Sequence, residues 1–556
     1  MSAHILRGGT VVNVDGQRRA DVVVDGDRIV DVVESGAEVT GASAIDVSGC
    51  LVMPGMVDIQ VHFREPGGTE AEDITSGAAG AARGGMTAVV MMPNTTPAID
   101  RVDVVRDVRS AAAGAPVDVH TSACLSVGRQ GERLVDFAAL HAEGVRVFTD
   151  DGDVLADSGL MRRALEATLT LPGMVVSQHC EDPALVAGGA INEGEVSAAL
   201  GVGGRPREAE EVIVARDVAL ARLTGGRYHV LHLSTSLALE HVRRAKRDGT
   251  RVTCEVTPQH LVLTDADVER LGTNGKMNPP LRTPLDVAAL RHGLVDGVVD
   301  AVATDHAPHP PAAKARDLST APPGMLGVET AVSVVWTHLV ARGLMSPARM
   351  VTAMSAAPAR IAGLSGSHGL PVAAGNPANL CVLDPTETWR ADPAPIASTA
   401  RHTPTAGDPL TGRTCATARR GGVTHPVGGP TAGTDLQPLP VVALNARSVV
   451  CCPQGARGVA GTVSVGWGKR AHEGGAVDGL DGALRRARSV PRRRGRPGRG
   501  ACPHRVLPDP HAGRPAVARG VPARNRDHGD GFGSDLRCPA RGHDRRHHPG
   551  RCHGLS

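Results

Sequence analysis

Aromatic side chains are nearly absent, with 4 Phe, 3 Trp and 1 Tyr in 556 residues. That excludes modules that bind nucleic acid by stacking bases on aromatic faces. Small residues must fill the interior instead, and the chain carries 68 Gly and Ala-rich segments throughout. No run approaches the roughly 18 consecutive apolar residues of a membrane-spanning helix, so a membrane-spanning protein is not expected. The start, MSAHILRGG, lacks the basic-then-apolar pattern of a secretory signal. The 11 Cys contain no C-x-x-C pair and no regular framework, which removes a disulfide scaffold and points to a cytoplasmic chain with reduced thiols.

Net charge is also small, +2, but it is the sum of two opposed parts. Residues 451–556 hold 20 Arg and one Lys against eight acids, whereas residues 1–450 hold 39 bases against 50 acids. No Ile follows Ile396 and only Lys469 follows Lys314. The chain is chemically two objects, and its length favours more than one folded unit.

The first 53 residues alternate short β-prone runs with DG and GD turns, as in ADVVVDGDRIVDVV, and predict a small antiparallel sheet. From Pro54 apolar runs alternate with Ala-rich helical segments such as LMRRALEATL and LALEHVRRAKRDG. The apolar runs fall at 56–62, 87–94, 117–123, 145–151, 173–179, 228–234, 251–258 and 299–306. Eight β/α repeats over about 250 residues match a (β/α)8 barrel, with a doubly wound open sheet as the alternative.

Most of these runs end in residues that a strand buried in a core would not select: Gln60 and His62, Asn94, Asp150 and Asp151, His179, His232, Asp305 and His306. In such barrels chemistry sits at the C-terminal strand ends. Imidazoles and carboxylates without converging thiolates suit divalent zinc or a similar ion. Two ions bridged by one carboxylate would generate hydroxide near neutral pH and polarise a carbonyl, the signature of a hydrolase. With 24 His in the chain, any single one is more simply a core or surface residue; it is their coincidence at strand ends that points to a site.

The motifs MPGMVDIQVHFREPG, VMMPNTTP, FTDDGD, QHCED, HLSTS, EVTPQHL, KMNPPLR, ATDHAPH and PPGMLGVETA follow one another in order. Over residues 1–425 they resemble the dihydroorotases of the amidohydrolase superfamily, the long bacterial type. The resemblance implies an α/β fold: a (β/α)8 TIM barrel of the metal-dependent amidohydrolase type over 54–365, with a small β-sandwich formed by the N- and C-terminal flanks at 1–53 and 366–429. It implies reversible cyclisation of N-carbamoyl-L-aspartate to (S)-dihydroorotate in pyrimidine biosynthesis, with one or two Zn2+ per chain. Homodimerisation or association with aspartate carbamoyltransferase would accompany that activity, without membrane or nucleic-acid partners.

Carried over by motif, His62 holds one metal, Asp151 bridges both, and His179 with His232 holds the second. Asp305 ligates the first metal and serves as general base. Both substrate forms bear a carboxylate, which the fork of Arg64 can grip where a Lys could not. Asn94 and His309 assist; His62 and Phe63 line the same stretch; Asn278 and the backbone at Pro323 and Gly324 hold the ring's amide edge.

The chain departs from the family in one place. Dihydroorotases carry D-x-H-x-H at the end of the first strand, and here the sequence reads Asp58-Ile59-Gln60-Val61-His62. Gln60 offers only an amide oxygen, a weaker zinc ligand that lacks the second ring nitrogen through which His ligands are oriented. Two readings compete: an enzyme with a weakened first metal site, favoured because Asp305, Asp151, Arg64 and Asn94 persist, and a catalytically poor partner of aspartate carbamoyltransferase. Hydantoinases and allantoinases, which also hydrolyse cyclic amides, typically place a carboxylated Lys at the end of the fourth strand, where this chain has Asp150-Asp151.

Segments of the tail, 430–556, such as RRARSVPRRRGRPGRG, contain too little apolar surface to build a core and are expected to be disordered. Clustered Arg would attract phosphate nonspecifically, but the bias toward Arg, Gly, Pro and His resembles GC-rich DNA read out of frame. Its Cys and His residues do not fall at zinc-finger spacing.

Overall fold

All eight apolar runs form parallel strands: Met56–Val61, Met86–Met91, Asp118–Thr121, Val147–Phe148, Val175–Gln178, Tyr228–Val230, Val252–Val256 and Ala301–Val302. The computed structural model describes residues 3–426; the basic tail and the readings attached to it lie outside the described residues. Neighbouring strands pair in chain order, and bridges from Ala123 to Phe148 and from Val61 to His306 close the ring. The fourth and eighth strands have only two residues each in regular pairing.

Pleating explains how short strands serve two layers. Val176, Val230, Cys254 and Val302 join the core between strands and helices, whereas Val147, Val175, Ala301 and Ala303, one position away, pack in a separate cluster. The helices carry matching signals. In Ser236–Arg247, Thr235 caps the N-terminus by accepting from the Ala238 N–H, and Arg244, Lys246 and Arg247 occupy the last turn, opposite in sign to the helix dipole there. Its buried stripe, Ala238, Leu239, Val242 and Ala245, follows the helical period. No helix among the described residues is long and apolar enough to cross a membrane.

The flanks build two further sheets around a shared apolar core that includes Val11, Val22, Ile29, Val52, Val372 and Val382. One has four strands in the order Arg28–Val33, Asp21–Asp25, His4–Arg7, Ser43–Asp46. The other has six: Gly422–Pro426, Pro409–Arg419, Leu380–Arg390, Leu51–Pro54, Thr10–Asn13 and Gly16–Arg19. The first 53 residues therefore do not make the single antiparallel sheet expected of them. His4–Arg7 pairs parallel with Ser43–Asp46 and Thr10–Asn13 parallel with Leu51–Pro54, because the chain changes sheet between Arg7 and Thr10. Gly8 makes that crossing at φ 79°, and a Cβ there would lie 2.3 Å from Ser48 Oγ.

The C-terminal flank is tied to the barrel at the start of the third strand. Asp118 accepts from Arg419 at 3.1 Å and Arg420 at 2.9 Å and pairs with His368 Nε2 at 3.0 Å. Burial pushes this carboxyl up, but His368 and the two Arg outweigh it and hold it at about 2.

Candidate active site

The strand ends converge on a buried cluster with Asp151 at its centre. Asp151 Oδ2 lies 3.1 Å from His62 Nε2, which is 2.9 Å from Asp305 Oδ1. Asp151 Oδ1 faces the other way, 3.4 Å from His232 Nε2 and 3.7 Å from His179 Nδ1. His62, Asp151 and Asp305 thus form one group of ligand type, and Asp151, His179 and His232 a second that shares the same carboxylate. The neighbouring Asp150 is occupied otherwise, accepting from the Leu125 and Ser126 N–H groups and the Ser126 hydroxyl.

The buried polar atoms fit a cation at each group. Asp151 Oδ1 has no hydrogen-bond partner, and His179 Nδ1 and His232 Nε2 stand 2.9 Å apart. His179 Nε2 faces Glu181 Oε2 at 3.2 Å, which places its proton there and leaves Nδ1 as a lone pair. Similarly, His62 Nδ1 meets Asn94 Oδ1 at 2.8 Å, leaving Nε2 for the carboxylate side. Glu181 is itself held by Arg205 at 2.7 Å; burial raises its carboxyl, but His179, Arg205 and Arg282 bring it to about 2. Burial disfavours a charged His232, yet Asp151 raises it to about 9, and Asp151 is driven well below the usual carboxylate range by His232 and His62. Excess negative charge of this kind is what a divalent cation neutralises. His232 and Asp305 sit at φ 30° and 47°, conformations that side-chain-bearing residues adopt at a cost of about 1–3 kcal/mol, and both aim their side chains into the cluster.

Gln60 is fully buried, and neither its Oε1 nor its Nε2 has a hydrogen-bond partner. Arg64 is half-buried with Nε donating to Pro308 O at 3.3 Å; burial lowers the guanidinium to about 10, against the pull of Asp305 and Asp151, so it stays charged at neutral pH. The Phe63 ring is turned away from the cluster, buried against the helix Ile74–Arg83, where a Cβ on Gly77 would lie 2.3 Å from it. Only the Phe63 backbone remains for a substrate. Asn278 keeps a buried, unpartnered Oδ1.

Pro323 and Gly324 are more heavily engaged than the motif suggests. Pro323 O pairs with His309 Nε2 at 2.7 Å, the Gly324 N–H donates to Lys276 O at 2.8 Å, and Gly324 O accepts from Lys314 Nζ at 3.0 Å. With no N–H on proline, a ring contact there has only the remaining carbonyl lone pairs to use.

Several side chains at the site escape motif reading. Glu72 pairs with His306 at 3.2 Å, beside Asp305. Arg129, at φ 60°, and Asn94 both border Gly152, where an added Cβ would lie 3.2 Å from the Arg129 guanidinium and 3.4 Å from Asn94 Nδ2. His402 reaches His309 from the C-terminal flank. Only Glu181 left a trace in the sequence, as the acid two residues after His179 in QHCED.

A (β/α)8 barrel with imidazoles and carboxylates at its strand ends and a sandwich built from both flanks is an amidohydrolase. L-Hydantoinase from Arthrobacter aurescens superposes with a TM-score of 0.71 at 26% identity, covering 78% of this chain and 98% of the other. Dihydropyrimidinase from Brevibacillus agri gives 0.67 at 24%, covering 76% and 94%. Residues 49–237 match the family model described as dihydro-orotase-like. Dihydroorotase of Pelotomaculum thermopropionicum is 44% identical over 414 residues, 74% of this chain and 96% of that protein; dihydroorotase of Streptomyces coelicolor is 44% identical over 76% and 98%. The chain belongs to the dihydroorotase family.

Proposed function

We propose that this protein is a dihydroorotase, a cyclic-amide hydrolase that interconverts N-carbamoyl-L-aspartate and (S)-dihydroorotate plus water in pyrimidine biosynthesis. The observation that carries this reading is the pair of ligand groups sharing Asp151, with the charged Arg64 beside them. His62, Asp151 and Asp305 would hold one zinc ion and Asp151, His179 and His232 the other. When bound, zinc supplies Lewis-acid polarisation of the reacting carbonyl and lowers the pKa of water.

The chain's own residues do the rest. Arg64 forks onto the substrate carboxylate, and Asn94, whose Oδ1 is committed to His62, has Nδ2 to offer the same group. His309 and Asn278 border the ring. In hydrolysis the Asp305 carboxylate takes the proton of the attacking water and returns it to the leaving ring nitrogen; in cyclisation it takes the ureido proton and passes it to the departing water. Glu181 and Asn94 hold the His179 and His62 rings in the tautomers that direct a lone pair inward.

The unpartnered Gln60 amide favours a second reading, a catalytically weak chain that acts as a partner of aspartate carbamoyltransferase. The zinc-loaded full chain, assayed by ultraviolet absorbance with dihydroorotate and N-carbamoyl-L-aspartate, separates the two. Turnover in both directions supports the enzyme. A folded, metal-loaded chain without turnover, co-purifying with aspartate carbamoyltransferase, supports the partner; size-exclusion chromatography reports a homodimer in either case.

A further inference from the structure

We propose that His402, delivered from the C-terminal flank, is a positioning residue that fixes His309 at the substrate pocket, and this rests on the dihydroorotase reading. Residues 391–408 leave the six-stranded sheet after Leu380–Arg390 and return to it at Pro409–Arg419. Between those strands they lie on barrel residues. The Ala397 N–H donates to Glu329 Oε2 at 2.9 Å, and the Thr399 N–H to Glu72 Oε1 at 3.2 Å. The Ser398 hydroxyl also donates to Glu72, the partner of His306.

His402 lies in this segment and touches His309. Its Nε2 accepts from the His309 N–H at 2.8 Å, and the two rings stack at 6.0 Å and 26°. His402 is 6% exposed. Because Nε2 is the acceptor, the ring is neutral with its proton on Nδ1. Burial, with Lys314 and His309 adding to it, lowers its pKa to about 3, so the acceptor survives at any working pH.

On the other side, His309 is confined by the loop it faces. Its Nε2 donates to Pro323 O at 2.7 Å, and Gly324 comes so close that a Cβ there would sit 3.0 Å from His309 Cδ2. Gly324 is at φ 145°, which favours glycine at that position. The His309 ring is therefore held at its edge by Pro323, approached by Gly324 and stacked on by His402, while its backbone hangs from the same His402 nitrogen. The nitrogen left for a ligand is Nδ1.

A double-mutant cycle tests this, read by steady-state kinetics of dihydroorotate hydrolysis, calorimetric binding of orotate and metal content. His402→Ala is expected to raise KM and weaken orotate binding by about tenfold, the loss of one buried hydrogen bond with its stacking, with kcat within about twofold and metal content unchanged. His402→Gln, whose side-chain oxygen reaches about as far as Nε2 and can accept the same N–H, should recover most of that loss. In a His309→Ala background, changing His402 should leave KM unchanged. An undiminished KM effect in that background, or a fall in kcat together with metal loss, would overturn the proposal and leave His402 as packing alone. Should His402→Ala not fold, His402→Phe, which keeps a ring against His309 but cannot accept its N–H, takes its place in the cycle and decides by the same criterion. A folded wild type that neither turns over dihydroorotate nor binds orotate defeats the dihydroorotase reading and this inference together; normal turnover with an additive cycle defeats this inference only.

Discussion

Gln60 is the position at which the structure makes the sharpest quantitative demand. Both polar atoms of its amide are buried without a partner, and each such group costs about 1–3 kcal/mol. In the metal-free protein nothing described offsets that cost. Gln60→Met, similar in shape and without the amide, should therefore raise the stability of the stripped protein by roughly 1–3 kcal/mol, discounting the second group for imperfect isosterism. Gln60→Ala also removes the amide but gives up one buried methylene, about 0.8 kcal/mol, and leaves a cavity, so it should come out near neutral. The loaded protein should behave oppositely if the amide oxygen is a ligand: Met and Ala lower the metal retained after dialysis, and Gln60→His raises it toward about two ions per chain with a faster rate, since a missing Lewis acid is worth several kcal/mol. Thermal unfolding with and without chelator, elemental analysis and the ultraviolet assay provide the three readouts. A metal-free Gln60→Met protein that is less stable than wild type would show that the amide has a partner. Equal metal content in all four proteins would remove Gln60, and with it the assignment of His62 to a first metal, from the site.

Three further outcomes follow from the geometry. Arg64→Lys should raise KM for dihydroorotate about tenfold while leaving metal content alone, because a point charge cannot reproduce the fork; steady-state kinetics at varied salt check it. Glu181→Gln should weaken metal retention about 10–100-fold, read by chelator competition, because His179 loses the carboxylate that fixes its tautomer. Asp118 has its pKa lowered from 3.8 to about 2, so its contribution, roughly 2 kcal/mol, is fully present above about pH 4 and is lost as pH falls toward 2. The melting-temperature gap between wild type and Asp118→Asn should be constant near neutrality and close on acidification; a gap that widens in acid contradicts the assignment.

The barrel strands were legible because most of the apolar runs end in polar residues with no reason to be in a core, and four of those, His62, His179, His232 and Asp305, meet around Asp151. Residues whose partners are distant in sequence were not. Glu72 and His402 sit in stretches without helical or strand period, and their importance lies in contacts to His306 and His309 across 234 and 93 residues. The mixed pairing of the N-terminal flank was hidden for a related reason: turn dipeptides signal reversal between neighbours, and here the chain leaves one sheet for the other at Gly8. Phe63 shows the limit of carrying a motif over, since its position in HFREPG gives no indication that the ring points into the helix layer.

The pairing of Leu51–Pro54 with Leu380–Arg390 has a consequence for how this protein is made. Strands that emerge from the ribosome early wait for a partner more than about 300 residues downstream, about half a minute at ordinary synthesis rates. Until then Leu51–Pro54 has only its parallel neighbour Thr10–Asn13, and one edge stands open to other chains. The barrel, whose strands pair in chain order, can form progressively during that wait, but His309 lacks its His402 contact until the same late segment arrives. Nascent chains thus pass through a stage with the cluster around Asp151 gathered and His309 not yet held, so expression conditions that slow elongation or crowd polysomes should act on the yield of soluble protein through the six-stranded sheet rather than through the barrel.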